Sequence, residues 1–138
     1  MAYSFTITSS KDIRDFTDGL SAGTPVLEIA AFLKALGKKL KGTNRHNMPP
    51  NLVGDTESFI LKIQEIFVDS EKNLRPNTEN LLFDVIGYIQ ELTQEIELEG
   101  KLKANFYSGI PKLGVMLQNL ASYLGTAVAM VSITTILN

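Results

Sequence analysis

The residue type best suited to acid–base and metal chemistry occurs once, as His46 between Arg45 and Asn47. A metal centre or a general base needs positioned partners. The sequence has no second histidine, no cysteine, and neither an HExxH nor an ExxH spacing. The nearest acid downstream is Asp55. We therefore predict an exposed loop histidine, no catalytic residue, no metal site and no cofactor, and we expect a protein that is not an enzyme.

The carboxylates are numerous, but their spacing is not that of a catalytic site. Glu91, Glu95 and Glu99 follow one another at intervals of four residues and form a strip of like charge along one helix face. Such a strip usually faces solvent. The functional alternative is a docking strip for a basic partner.

The basic residues are concentrated in one segment, "KALGKKLKGTNRH". Residues 34–54 hold five basic residues and no acid, whereas 55–99 hold eleven acids against three basic residues, so we expect an electrically polar molecule. No glycine-rich phosphate-binding motif accompanies the lysines. Because the chain is acidic overall and has few aromatic residues near this patch, nucleic acid is not predicted as a partner, whereas an anionic membrane surface stays open.

The elements that must position these residues are predicted to be helices. With 44% hydrophobic and 20% charged residues, the 138-residue chain has the composition of one globular domain. The opening segment 1–8 alternates apolar and polar residues and is predicted to be a short extended arm. Ser9 with Asp12 resembles a capping box and starts a helix that runs to about Leu20. The opening does not resemble a secretory signal, so we expect a cytoplasmic protein.

The second helix has the clearest pattern. Thr24 is predicted to cap it, Pro25 to occupy its first position, and Gly42 to end it. Its apolar stripe consists of Val26, Ile29, Leu33, Leu36 and Leu40. A long loop is predicted over 43–55.

Two further amphipathic helices are predicted, capped by Asp55 or Thr56 and by Asn77 or Thr78. Near Gly100 the apolar stripe changes register, which predicts a kink or a break. "YSGIP" is predicted to be a turn, with Pro111 opening a hydrophobic C-terminal helix over 112–137. The fold class is therefore all-α, a single helical bundle of five to six helices.

The closing stretch carries no charge from Leu113 to Leu137, which is long enough to span a bilayer. Its polar residues nevertheless share one side, whereas its leucines share the other, which favours a buried bundle helix over a membrane-inserting one. A strand pairing of the tail "SITTILN" with the arm is a further alternative. Ala121, Gly125 and Ala129 form a row of small residues where another helix can come close, in this bundle or in a second chain.

These features favour a module that binds another protein or itself. The predicted contact surfaces are the loop with Arg45, Met48 and Pro49, the acidic strip, and the small-residue row. The alternative is a membrane-active domain of pore-forming or cell-death type, in which the closing helix is masked in the soluble state.

Overall fold

The computed structural model describes residues 3–69, 77–94 and 104–137, with side-chain positions over 3–67, 78–94 and 106–125. Within these ranges every regular element is a helix, and the helices pack into a compact bundle, which confirms the all-α fold class. The five helices are α1 (Ser10–Asp18), α2 (Val26–Lys41), α3 (Leu52–Asp69), α4 (Asn77–Thr93) and α5 (Ala104–Leu137).

The start of α1 follows the predicted capping pattern. The Asp12 carboxylate accepts the backbone N–H of Thr8 at 2.8 Å and that of Ser9 at 3.1 Å. These two backbone hydrogen bonds hold the pKa of Asp12 below its ordinary value. The stabilisation they give is therefore complete above the ordinary carboxyl pKa and is lost as the pH falls through the lowered one.

The N-terminus of α2 differs from the predicted cap. Thr24 Oγ1 accepts the backbone N–H of Ser21 at 3.1 Å, so it closes the preceding turn, and Pro25 occupies the cap position. The predicted stripe is correct, because Ile29, Leu33, Leu36 and Leu40 are all buried. Gly42 ends the helix as predicted.

The predicted loop over 43–55 is too long at its C-terminal end. α3 begins at Leu52, which is fully buried together with its neighbour Val53, and Asn51 turns the chain with a φ of 60°. Thr56 is not a cap, since its hydroxyl donates to the Leu52 carbonyl at 2.8 Å inside the helix. Burial of two apolar side chains outweighs the capping preference of Asp55 and Thr56.

The predicted turn at "YSGIP" is wrong. α5 runs without interruption from Ala104 to Leu137 and carries Pro111 in its interior. An internal proline removes one backbone hydrogen bond and crowds the carbonyl four residues before it. The burial of Ile110 and Leu113 on either side offsets that cost. The helical tail also rules out the strand pairing of "SITTILN" with the arm. The predicted break near Gly100 lies outside the described residues.

The predicted sidedness of the closing helix is largely correct. Leu113, Leu117, Leu120 and Leu124 are buried, whereas Asn119 and Ser122 are exposed. Among the described residues, no helix has the length and hydropathy that crossing a membrane requires.

An aromatic cluster joins the N-terminal segment to the bundle. Phe16 and Phe32 stack with ring centroids 3.9 Å apart, and Phe5 and Phe59 meet them edge-on. Residues 3–8 form neither helix nor strand, but Phe5 packs on the cluster and Ile7 is buried. The arm is therefore seated on the bundle along α2.

α2 and α5 pack with their backbones almost in contact. A Cβ atom on Gly37 would lie 2.7 Å from the Gly114 carbonyl oxygen, and one on Gly114 would lie 2.6 Å from the Gly37 carbonyl oxygen. Since Gly37 meets Gly114 while Ala30 lies near Ala121, the two helices are antiparallel. This Gly37–Gly114 seam sets the distance between α2 and α5.

Candidate interaction surfaces

Between the arm and α5, one face of α2 is not covered by any other described residue. The arm borders it on one side, and α5 borders it on the other through Gln118 and Ala121. We call this trough the α2 groove; its α2 residues are Leu27, Ala31, Lys34, Ala35 and Lys38. One hollow in it, bordered by Tyr3 and Leu27, has a volume of about 540 Å³.

The floor of the α2 groove is apolar and its rim is basic. Leu27 is 47% exposed and Tyr3 38% exposed, while Ala31 and Ala35 form a floor of small side chains. Lys34 and Lys38 stand at the rim. Small floor residues permit the close approach of another helix, and an apolar centre with a polar rim is typical of protein contact surfaces.

The lysines of the α2 groove have no acidic partner among the described residues. The two ion pairs in that part of the chain lie elsewhere, between Lys11 and Asp15 at 2.7 Å and between Arg14 and Asp55 at 3.0 Å. Lys41 Nζ donates to Gln118 Oε1 at 3.2 Å, which is a contact with a neutral group. Among the described residues, no acid thus neutralises the positive charge of these lysines.

The exposed face of α4 has the opposite character. Phe83 is 52% exposed and lies beside Asp84, and Glu91 is exposed two turns further on. The described segment 77–94 contains no basic residue. Gly87 lies at the centre of this face, and a Cβ built on it would have no heavy atom within 4 Å.

Of the predicted acidic strip, only Glu91 falls within the described residues, where it is exposed; Glu95 and Glu99 lie outside them. The negative charge of Glu91, together with burial as the larger cause, raises the pKa of Tyr88. The Tyr88 hydroxyl donates to the Gly109 carbonyl at 3.2 Å and so joins α4 to α5.

The predicted contact loop is tied to the bundle. The Arg45 guanidinium lies 5.8 Å from the ring centroid of Tyr107, and Met48 packs on the core. Pro49 is half-buried, and the next carbonyl, that of Pro50, accepts the Ser10 hydroxyl at 2.5 Å. The apolar side chains expected to anchor a partner are thus partly used inside the chain, and a role of this loop in binding stays a prediction.

The predicted small-residue row does not mark the close approach of two helices within the described residues. Ala121 is buried beside the α2 groove, but a Cβ on Gly125 would have no heavy atom within 4 Å, and the Ala129 side chain lies outside the described positions. Among the described residues, the close approaches at glycines of this helix are instead at Gly114, to α2, and at Gly109, where an added Cβ would clash with Leu92 of α4. Contact of Gly125 with a second chain stays a prediction.

Sequence reasoning missed both the Gly37–Gly114 seam and the α2 groove. The signal for the seam was a glycine within each helical pattern, Gly37 between Leu36 and Leu40 and Gly114 next to Leu113. The signal for the groove was the spacing of four between Ala31 and Ala35 on the side of α2 opposite its leucines.

His46 lies in a turn held by asparagine side chains. Its backbone N–H donates to Asn44 Oδ1 at 2.8 Å, and its side chain is exposed. Among the described residues, no group of three or more His, Asp or Glu side chains comes together that could hold a metal ion.

We expect His46→Ala to leave stability within about 0.5 kcal/mol of the wild type, because an exposed side chain without partners contributes little. Thermal unfolding and zinc titration by calorimetry check this. Stoichiometric zinc binding by the wild type that disappears in the variant would contradict it.

Comparison of the chain with protein-family models, with curated proteins and with solved structures gives no match.

Proposed function

We propose that this helical bundle is a non-catalytic protein-interaction module whose contact surface is the α2 groove. The observation that carries the proposal is the uncovered α2 face, with exposed Leu27 and Tyr3 and with Lys34 and Lys38 unpaired by any described acid. A partner that fits it presents an apolar side chain flanked by carboxylates.

The shape of the α2 groove favours a helical segment as the ligand. The groove follows α2 from Leu27 to Lys38, which is about 17 Å at 1.5 Å per residue, and an α-helix is about 10 Å wide. A helix that lays an apolar stripe into a groove is a recurrent mode of peptide recognition. The rim lysines would pair with acids beside that stripe and speed the encounter.

An anionic membrane surface is the competing partner, because the same lysines attract lipid headgroups. The protein partner is favoured by the concave form of the site. Lys34 and Lys38 border a trough with Ala31 and Ala35 on its floor, whereas a bilayer presents a flat surface that such a floor does not reach.

The test uses a fluorescent 18-residue amphipathic peptide of leucine and glutamate and a matched peptide with lysine in place of glutamate. We expect the acidic peptide to bind and the basic one not to, with affinity that falls as salt rises. Lys34→Glu with Lys38→Glu should weaken binding by about tenfold or more, measured by fluorescence anisotropy.

The matched control is Lys62→Glu with Lys112→Glu, which changes the net charge equally but lies on α3 and on the far side of α5. Equal loss in both double variants would mean attraction by net charge alone and would contradict the assigned site. Vesicles with and without anionic lipid serve as the second probe. We expect weak, salt-sensitive binding to anionic vesicles only and no dye release; dye release at low protein concentration would favour the membrane-active alternative instead.

A further inference from the structure

We infer that the occupant of the α2 groove is the exposed α4 face of a second copy of this chain, so that the protein associates head to tail. This inference rests on the proposed function and names the partner for the same groove. It is carried by the complementarity of two described surfaces on different helices, neither of which another described residue covers.

The two surfaces are opposite in charge, and the exposed face of α4 is shorter than the groove. From Phe83 to Glu91 it extends about 12 Å, against about 17 Å for the groove. The exposed face of α4 carries Asp84 and Glu91 without any basic residue, whereas the charged residues that line the groove are lysines. The described part of the chain offers the groove lysines no other acid at hydrogen-bonding distance.

The spacing of the charges also agrees. Asp84 and Glu91 are seven residues apart, as are Lys34 at the rim of the groove and Lys41, which lies beyond the groove and contacts Gln118. In the parallel register that places Asp84 beside Lys34 and Glu91 beside Lys41, Phe83 comes to the hollow bordered by Tyr3, Leu27 and Ala30. Side chains on a helix lean toward its N-terminus, which directs Phe83 into that hollow.

Gly87 gives a further reason to expect a neighbour on this face. A glycine inside a helix is unfavourable, and within the described residues nothing approaches the position where its Cβ would be. On the docked α4, Gly87 would lie over the alanine floor of the groove. Glycine on one helix and alanine on the other let the two helix backbones approach closely.

Contact between two different surfaces of identical chains does not close on itself as a symmetric dimer does. It extends into rings or filaments, because each bound copy still has one free groove or one free α4 face. We therefore expect the mass of the wild type to rise continuously with concentration above that of the 15.2 kDa chain.

The test is a mixing experiment with two charge-reversed variants, followed by light scattering after gel filtration. The groove variant is Lys34→Glu with Lys38→Glu, and the α4 variant is Asp84→Lys with Glu91→Lys. Each alone should be a monomer, because like charges then face each other. An equal mixture should associate as the wild type does, with the two variants alternating, because the wild-type α4 face of one attracts the wild-type groove of the other and the reversed α4 face attracts the reversed groove. The variant with all four changes should associate again, because its charges are exchanged and attract.

Gly87→Leu tests the contact without changing charge. We expect it to abolish association while unfolding at the same temperature as the wild-type monomer or above it, so loss of association cannot be ascribed to misfolding. Leu61→Ala, on an exposed position of α3, is the matched surface control and should associate as the wild type does.

A wild type that stays monomeric at all concentrations while its groove binds the acidic leucine–glutamate peptide would overturn this inference and leave the proposed function intact. Association of either double variant by itself, to the same extent as the wild type, would overturn it as well and would point to another surface, such as that around Gly125. Failure of the peptide to bind while the mixing pattern appears would overturn the more general proposal of recognition by acidic helices.

Discussion

Gly114→Leu is expected to lower the free energy of unfolding by about 3 kcal/mol, the upper part of the usual range for overpacking. The added side chain would have to enter the Gly37–Gly114 seam, where even a Cβ would lie 2.6 Å from the Gly37 carbonyl oxygen and 2.9 Å from Lys41 Cγ. The first of these neighbours is helix backbone, which can yield only if α2 moves away from α5. Thermal unfolding followed by circular dichroism should show a midpoint lower by roughly 10 °C.

The matched control is Gly125→Leu in the same helix. Because no described heavy atom lies within 4 Å of the position of its Cβ, we expect no loss and a gain of up to about 1 kcal/mol from helix propensity. If Gly114→Leu and Gly125→Leu lowered the free energy of unfolding equally, the loss would have a cause other than overpacking of the Gly37–Gly114 seam. A Gly114→Leu protein as stable as the wild type would show that the two helices are not in contact there.

Phe59→Ala is expected to lower the free energy of unfolding by about 4 kcal/mol, since it deletes a large ring from the centre of the bundle. Phe59 is fully buried, and its ring centroid lies 5.1 Å from that of Phe32 and 5.8 Å from that of Phe16. The cavity left behind borders the stacked pair and the arm that Phe5 fastens to it. Chemical denaturation at several protein concentrations measures the loss and separates it from any effect of association.

Leu61→Ala, two positions along α3, is the control for this change. Its side chain is 44% exposed, so we expect a loss within about 0.5 kcal/mol. If Phe59→Ala cost no more than Leu61→Ala, the aromatic cluster would not be the centre of the core. If Phe59→Ala instead released residues 3–8 from the bundle and left the free energy of unfolding nearly unchanged, the ring of Phe59 would mainly hold the arm in place.

The two surfaces of the proposed association are the consequence of an uneven distribution of charge along the chain. The basic segment forms the end of α2 and the loop after it, and the acidic segment forms α3 and α4. Folding keeps them apart: α2 packs chiefly on α5, and α4 packs on α3 and α5. No described acid neutralises the lysines of the α2 groove, so their charge is available for a second molecule.

The periodicity of apolar residues determined the existence of the helices and the side that each one buries. The stripe of α2 and the leucines of the closing helix are buried as the pattern predicts, because a repeat of three and four residues can be buried as one face only by a helix. The separation of the basic segment 34–54 from the acidic segment 55–99 was equally visible in the sequence, since it depends only on the order of residues along the chain.

The ends of helices were less predictable where local signals compete with burial. Pro111 normally marks a boundary, yet α5 continues through it because its neighbours Ile110 and Leu113 are fully buried. Leu52 and Val53 likewise draw the start of α3 ahead of the acidic and hydroxyl residues that usually cap a helix. Local propensities amount to fractions of a kcal/mol per residue, whereas burying one large apolar side chain contributes about 2 kcal/mol.

Only the tertiary structure decided which small residues meet and which helix face stays open. The sequence shows glycine and alanine on both α2 and α5, but a close approach needs one residue from each helix at the same height, which depends on how the helices cross. The crossing places Gly37 against Gly114 and leaves Gly125 without a close neighbour among the described residues. It also sets α5 and the arm on either side of the α2 face with Ala31 and Ala35, and so forms the groove between them. A groove is a property of three segments distant in sequence, and no periodicity within any one of them can encode it.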